Sequence, residues 1–189
     1  FSTYRQKTYE CLRELISMKQ CVENGAHKAG VSIAKQLLKK ARKFHQTSIE
    51  IECLYVLHNH IITSTGNVKD REQICVELEH AQYKQLAETQ AEMAFGSISI
   101  LYATVHADHP ENTEKIKNCI RKMESILENF DTYKIRYNYY LLKIWLTQAE
   151  RNLPARILAC DDAIDYLKVN PDIAGNLVAL FSLEKAECY

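Results

Sequence analysis

Glycine and proline are scarce in this chain, five and three among 189 residues. An all-β protein of such length needs a turn signal about every 8–12 residues, so that class is excluded. Neither sign of charge is in excess. The 24 Lys and Arg balance 24 Asp and Glu, which removes any wholesale attraction to nucleic acid or anionic lipid. No stretch reaches the ~18 uninterrupted apolar residues of a membrane-spanning helix. The opening Phe1-Ser2-Thr3-Tyr4-Arg5 lacks the charged start and apolar run of a secretory signal, and a start at Phe1 reads as a fragment of a longer protein. The seven cysteines (Cys11, Cys21, Cys53, Cys75, Cys119, Cys160, Cys188) include no Cys-x-x-Cys pair. Scattered singly among apolar residues, they read as small buried hydrophobes in a reducing, cytoplasmic setting.

What the chain does have is helical punctuation. Pro110, Pro154 and Pro171 occupy first-turn positions, Pro171 behind Asn170 as N-cap. Gly25 and Gly66 close long periodic segments as left-handed caps. Thr47-Ser48-Ile49-Glu50 has the spacing of a capping box. These marks predict about nine helices, near 3–22, 26–45, 48–64, 68–87, 89–107, 111–129, 132–151, 154–169 and 172–188. Their short connections make successive helices antiparallel neighbours.

The helix faces carry more information. In 26–45, Val31, Ala34, Leu38, Ala41 and His45 lie on one side, with Ala29, Ile33, Leu37 and Phe44 beside them. That apolar arc covers roughly 200°, about twice what one packing surface requires. Helix 132–151 repeats the plan, with Tyr133, Tyr137, Tyr140, Leu141, Ile144 and Trp145 on one flank. Ile135, Tyr139, Leu142 and Leu146 form the other. A helix with two apolar flanks is predicted to be sandwiched between neighbours.

Alternate helices share an apolar trio at i, i+4, i+7: Ala34/Leu38/Ala41, Ile74/Leu78/Ala81, Cys119/Met123/Ile126 and Cys160/Ile164/Leu167. The first members are 40, 45 and 41 residues apart, a period in the range of helical-hairpin solenoids. With these trios and the Phe95-Gly96 pair, the chain resembles the tetratricopeptide-repeat (TPR-like) superfamily, in a version whose repeats exceed the usual ~34 residues. The resemblance implies a right-handed, all-α solenoid. It also places Gly96 where two helices approach closely. On this reading residues 1–189 form one helical-repeat domain, with hairpins at 3–45, 48–87, 89–129 and 132–169 and a final helix 172–188. That last helix ends apolar (Leu177, Leu180, Phe181, Tyr189), which predicts that further repeats follow.

Signatures of catalysis are missing. Glu77-Leu78-Glu79-His80 has the Glu-x-x-His spacing of di-iron bundles, which need a second copy; none occurs, and His80 reads as a solvated helix edge. His58-Asn59-His60 points to two faces, and the pair His106 and His109 lacks partners at zinc spacing. There is no Gly-x-Ser-x-Gly, no Gly-x-x-x-x-Gly-Lys-Ser/Thr and no Gly-x-Gly-x-x-Gly. No enzyme, metal site or cofactor is expected.

Charge is distributed unevenly. Residues 26–45 hold six Lys and Arg and no acid, with Lys28, Lys35, Lys39 and Arg42 in one line, whereas 70–92 hold six acids. The plain reading is two solvated edges that pair across neighbours. The sharper one is a basic groove for an acidic peptide or partner helix. Helix 132–151 sets cationic side chains among its aromatics, and Tyr139, Tyr140 and Lys143 are candidates to line a concave surface. The expected function is a non-catalytic scaffold that binds a protein or peptide, without nucleic acid or membrane. The alternative is a sensor segment of a larger bacterial signalling or transcription protein, with an all-α enzyme or metal protein as a third class.

Overall fold

The computed structural model describes residues 3–65, 67–104, 110–174 and 177–189, and all regular structure among them is helical. The helices are α1 (Thr3–Glu23), α2 (His27–Lys43), α3 (Thr47–His60), α4 (Val68–Thr104), α5 (Pro110–Leu127), α6 (Tyr133–Ala149), α7 (Leu153–Val169), α8 (Pro171–Ala174) and α9 (Leu177–Ala186). A π-helical turn, Ile61–Thr65, extends α3. No described helix is long and apolar enough to cross a membrane.

Three connections use one turn. After α1, the Ala26 amide donates to the Cys21 carbonyl at 2.8 Å and the Gly25 amide to Val22 at 3.1 Å. This doubled bond is the Schellman closure, and Gly25 takes the left-handed conformation it requires, φ +77°. The same pair closes α2 (Gln46 to Ala41, His45 to Arg42) and α6 (Asn152 to Thr147, Arg151 to Gln148). There the left-handed residue is His45 or Arg151, at φ 52° and 54°. The predicted capping box at Thr47 does not form. Gln46 is already the N-cap and caps with no side chain. Glu50 turns instead to Arg42 and Lys84. Gly66 lies outside the described residues. Asn152 and Thr132 do cap α7 and α6, accepting from the Ala155 and Ile135 amides.

The chain gathers into two compact units, Phe1–Leu86 and Ala87–Tyr189. In the first, α1 packs on α2 and on α3, and α2 packs on α3. Ala34, Leu37, Leu38 and Ala41 of α2 meet Cys11 and Met18 of α1, Ile49, Cys53, Leu54 and Leu57 of α3, and Leu78 and Ala81 of α4. Met18, Leu37 and Leu54 are completely enclosed; each such side chain contributes roughly 1.5–3 kcal/mol by leaving water.

In the second unit α5 packs on α6, α6 on α7, and α7 on α9. Here α6 serves two cores, as its two apolar flanks predict. Ile135, Leu142, Trp145 and Leu146 join Cys119 and Met123 of α5 and Ala91 and Ile98 of α4. Tyr140 and Ile144 join Cys160, Ile164 and Leu167 of α7 and Phe181 of α9. Trp145 is the one ring on the flank opposite to that expected, stacked on Phe95 with centroids 5.1 Å apart. The final helix has partners of its own: Phe181 is buried, and its ring meets those of Tyr137 and Tyr140.

Two expectations are corrected. The helices placed at 68–87 and 89–107 are one, α4, unbroken through residue 88. Ala87, Glu88, Gln90, Ala91 and Glu92 are good helix formers with no Pro or Gly among them. The apparent break is a charged stretch in an otherwise apolar stripe, where Lys84 and Glu88 find ion partners on neighbouring helices. Gly96, moreover, is not a close-approach position, since a Cβ there would meet nothing within 4 Å. That role belongs to Gly30, where a Cβ would stand 2.7 Å from Val22 Cγ2. The four trios are core or core-facing throughout, with Ile74 and Ile126 at the margin.

Candidate functional site

The basic line on α2 separates into different fates. The Arg42 guanidinium donates from Nε to Glu50 Oε1 at 2.8 Å and from its terminal nitrogen to Glu77 Oε2 at 2.7 Å. Lys84 closes on the other Glu50 oxygen. Glu50 is thus a carboxylate 5% exposed that ties α2, α3 and α4 together. Burial opposes the charge on Arg42, but the bonds to Glu77 and Glu50 outweigh it and strengthen its hold on its proton. The same bond holds the Glu77 carboxyl below its ordinary range. Arg42 is therefore committed to the fold. Removing one partner of so buried a carboxylate costs about 3–5 kcal/mol.

Lys28, Lys35 and Lys39 are exposed and enter no ion pair among the described residues. Lys35 lines a cavity of about 330 Å³. The cavity lies where α2, the end of α3 with its π turn, and the start of α4 come together, and Leu57, Ile61 and Ile74 form its apolar part. Asp70, His60 and Gln73 supply polar groups beside Lys35. Asn67 caps α4 here, accepting from the Lys69 amide at 3.1 Å while its own side-chain nitrogen donates to Asp70 at 2.8 Å. Sequence spacing could not find this cavity, because its walls come from three elements. The one local signal is the apolar–polar run Ile61-Ile62-Thr63-Ser64-Thr65, whose π turn is a device helices use near functional sites.

The α6 candidates are mostly structural. Tyr140 is buried and packs on Tyr139, Tyr166 and Phe181, so it is not offered to a ligand. The rings of Tyr133, Tyr137, Tyr140, Tyr166 and Phe181 close on one another without room for a water. Tyr139 is half-buried and donates to Glu124 Oε1 at 3.1 Å. Burial and that carboxylate push its hydroxyl up to about 12. Lys143 lies over the Tyr139 ring at 5.4 Å and faces Asp162 at 3.5 Å. These four groups, Tyr139, Glu124, Lys143 and Asp162, satisfy one another across α5, α6 and α7.

All seven thiols are free. Cys11, Cys53, Cys119 and Cys160 are buried as predicted; Cys21 and Cys188 are half-buried and Cys75 is exposed. Burial pushes the Cys53 thiol up to about 12 and Cys160 to about 11, values at which they are inert as nucleophiles. His106 and His109 lie outside the described residues. Among those described, no group of three or more His, Cys, Asp and Glu could hold a metal ion. No protein family, curated protein or solved structure matches the chain.

Proposed function

We propose that the chain is a non-catalytic helical-repeat scaffold of the TPR-like kind, a solenoid segment that binds a protein or peptide partner. One observation carries this reading. In the first unit α1 packs on α2 and on α3; in the second α6 packs on α7 and, past the four-residue α8, its Tyr137 and Tyr140 rings meet Phe181 of α9. That is the contact order of stacked hairpins, in which each unit touches only its near neighbours. Scaffolds of this type present rigid helix faces for recognition. Lys28, Lys35 and Lys39 offer cations unpaired among the described residues, and Tyr9, Leu12 and Ile16 form an exposed apolar row along α1.

The test is capture of interacting proteins by the immobilised chain, wild type against Lys28→Glu with Lys39→Glu. Both side chains are exposed, so the variant should fold as the parent does. The reading expects a defined set of acidic partners that the variant loses and that raised salt weakens. An identical set retained by the variant at every salt concentration contradicts the basic surface.

A further inference from the structure

The cavity between α2, the π turn and α4 holds opposite charges that do not pair. Lys35 and Asp70 both line it, yet neither forms an ion pair with the other or with any charged group among the described residues. The Asp70 carboxylate accepts from the neutral Asn67 side-chain nitrogen, and the Asp70 backbone amide donates to Asn67 Oδ1. Leu57, Ile61 and Ile74 provide an apolar surface in the same space. Its volume of about 330 Å³ falls at the small end of the range for ligand pockets, about 300–1,000 Å³.

The chemistry narrows the occupant. An anion would pair with Lys35 but lie beside Asp70, of its own sign, and a cation would meet Lys35 in the same way; like charges at close range repel. A neutral apolar molecule would pair with neither. A molecule that carries both charges on a short frame, with an apolar side, answers Lys35, Asp70 and the apolar wall together. We propose that this cavity binds a free α-amino acid with an apolar side chain. Its carboxylate faces Lys35, its ammonium faces Asp70, and its side chain lies over Leu57, Ile61 and Ile74.

The site also has a route to the rest of its unit. Gln73 Nε2 donates to Glu77 Oε1 at 2.7 Å, and Glu77 accepts from Arg42. Gln73 thus joins the cavity wall to the network that links α2, α3 and α4. The cavity shares Lys35 with the proposed basic surface but not Lys28 or Lys39, so different variants test the two readings.

The test is calorimetric titration of the intact chain with L-leucine, L-leucinamide and 4-methylpentanoate. The amide lacks the carboxylate and the acid lacks the ammonium. Each should bind at least about tenfold more weakly than L-leucine, the loss expected for one charge-assisted contact. Lys35→Gln should weaken L-leucine and erase its advantage over the amide; Asp70→Asn should erase its advantage over 4-methylpentanoate. Both positions are exposed, and an unchanged unliganded melting temperature shows that the variants fold. Lys28→Glu with Lys39→Glu should leave L-leucine binding intact. If leucine, isoleucine, methionine and phenylalanine all fail to bind at millimolar concentration, the proposal is overturned. Binding that ignores both cavity substitutions overturns it equally.

Discussion

Gly30 and Gly96 look alike in the sequence, each an isolated glycine inside a helical pattern, and their surroundings are opposite. At Gly96 an added methyl enters open space, so Gly96→Ala should gain up to about 1 kcal/mol of helix propensity. At Gly30 the same methyl meets Val22 Cγ2 at 2.7 Å. Valine has one favoured rotamer in a helix and cannot easily swing away. Overpacking of about 1–3 kcal/mol then outweighs the propensity gain. Thermal melts should rank Gly96→Ala above the parent and Gly30→Ala below it; the reverse order would restore Gly96 as the point of close approach. The trio residues were legible because their role is periodic. Gly30 was not, because only the facing side chain on α1 makes it special.

Elements begin and end as local chemistry dictates. Asn152 with Pro154 and Asn170 with Pro171 mark helix starts that the sequence announces. The Schellman turns are a subtler case. Gly25 advertises its turn, while His45 and Arg151 adopt the same left-handed conformation with nothing in their identity to suggest it. A non-glycine residue bears roughly 1–2 kcal/mol of strain there. His45→Gly and Arg151→Gly should each raise the unfolding free energy from urea titration, by somewhat under that amount because both side chains also make contacts. Gly25→Ala should lower it by about 1 kcal/mol. If neither glycine substitution stabilises, the turns are not strained as their φ values imply. The unbroken α4 is the element misread from sequence. A Lys and a Glu in an apolar stripe look like the edge of a helix until their partners, Glu50 and Lys134, are known.

At the scale of the whole molecule, charge does structural work on both sides of neutrality. Glu77 is ionised more readily in the fold than its ordinary value of 4.5, chiefly through its bond from Arg42. A carboxyl so depressed contributes stability that is complete above about pH 4.5 and disappears as pH falls through its lower folded value. The melting temperature should therefore drop as the pH is taken below 4.5. Glu77→Gln should start lower at neutral pH and fall less steeply in that acid window. Parallel curves for the two proteins would show that the Arg42 bond adds nothing. Only three-dimensional placement exposes this dependence, since Arg42 and Glu77 are 35 residues apart.

From the order of residues alone came the helical class, most helix starts, the inward faces and the buried trios. All of these depend on interactions within a few residues along one chain segment, where spacing is geometry. The tertiary structure alone decided which cations are consumed by Glu50 and Glu77, which stay unpaired among the described residues, and that Tyr140 belongs to a core. It alone brought Lys35, Asp70 and the π turn to one cavity. Those outcomes depend on which faces meet, and a helix in isolation carries no record of the neighbour that will cover it.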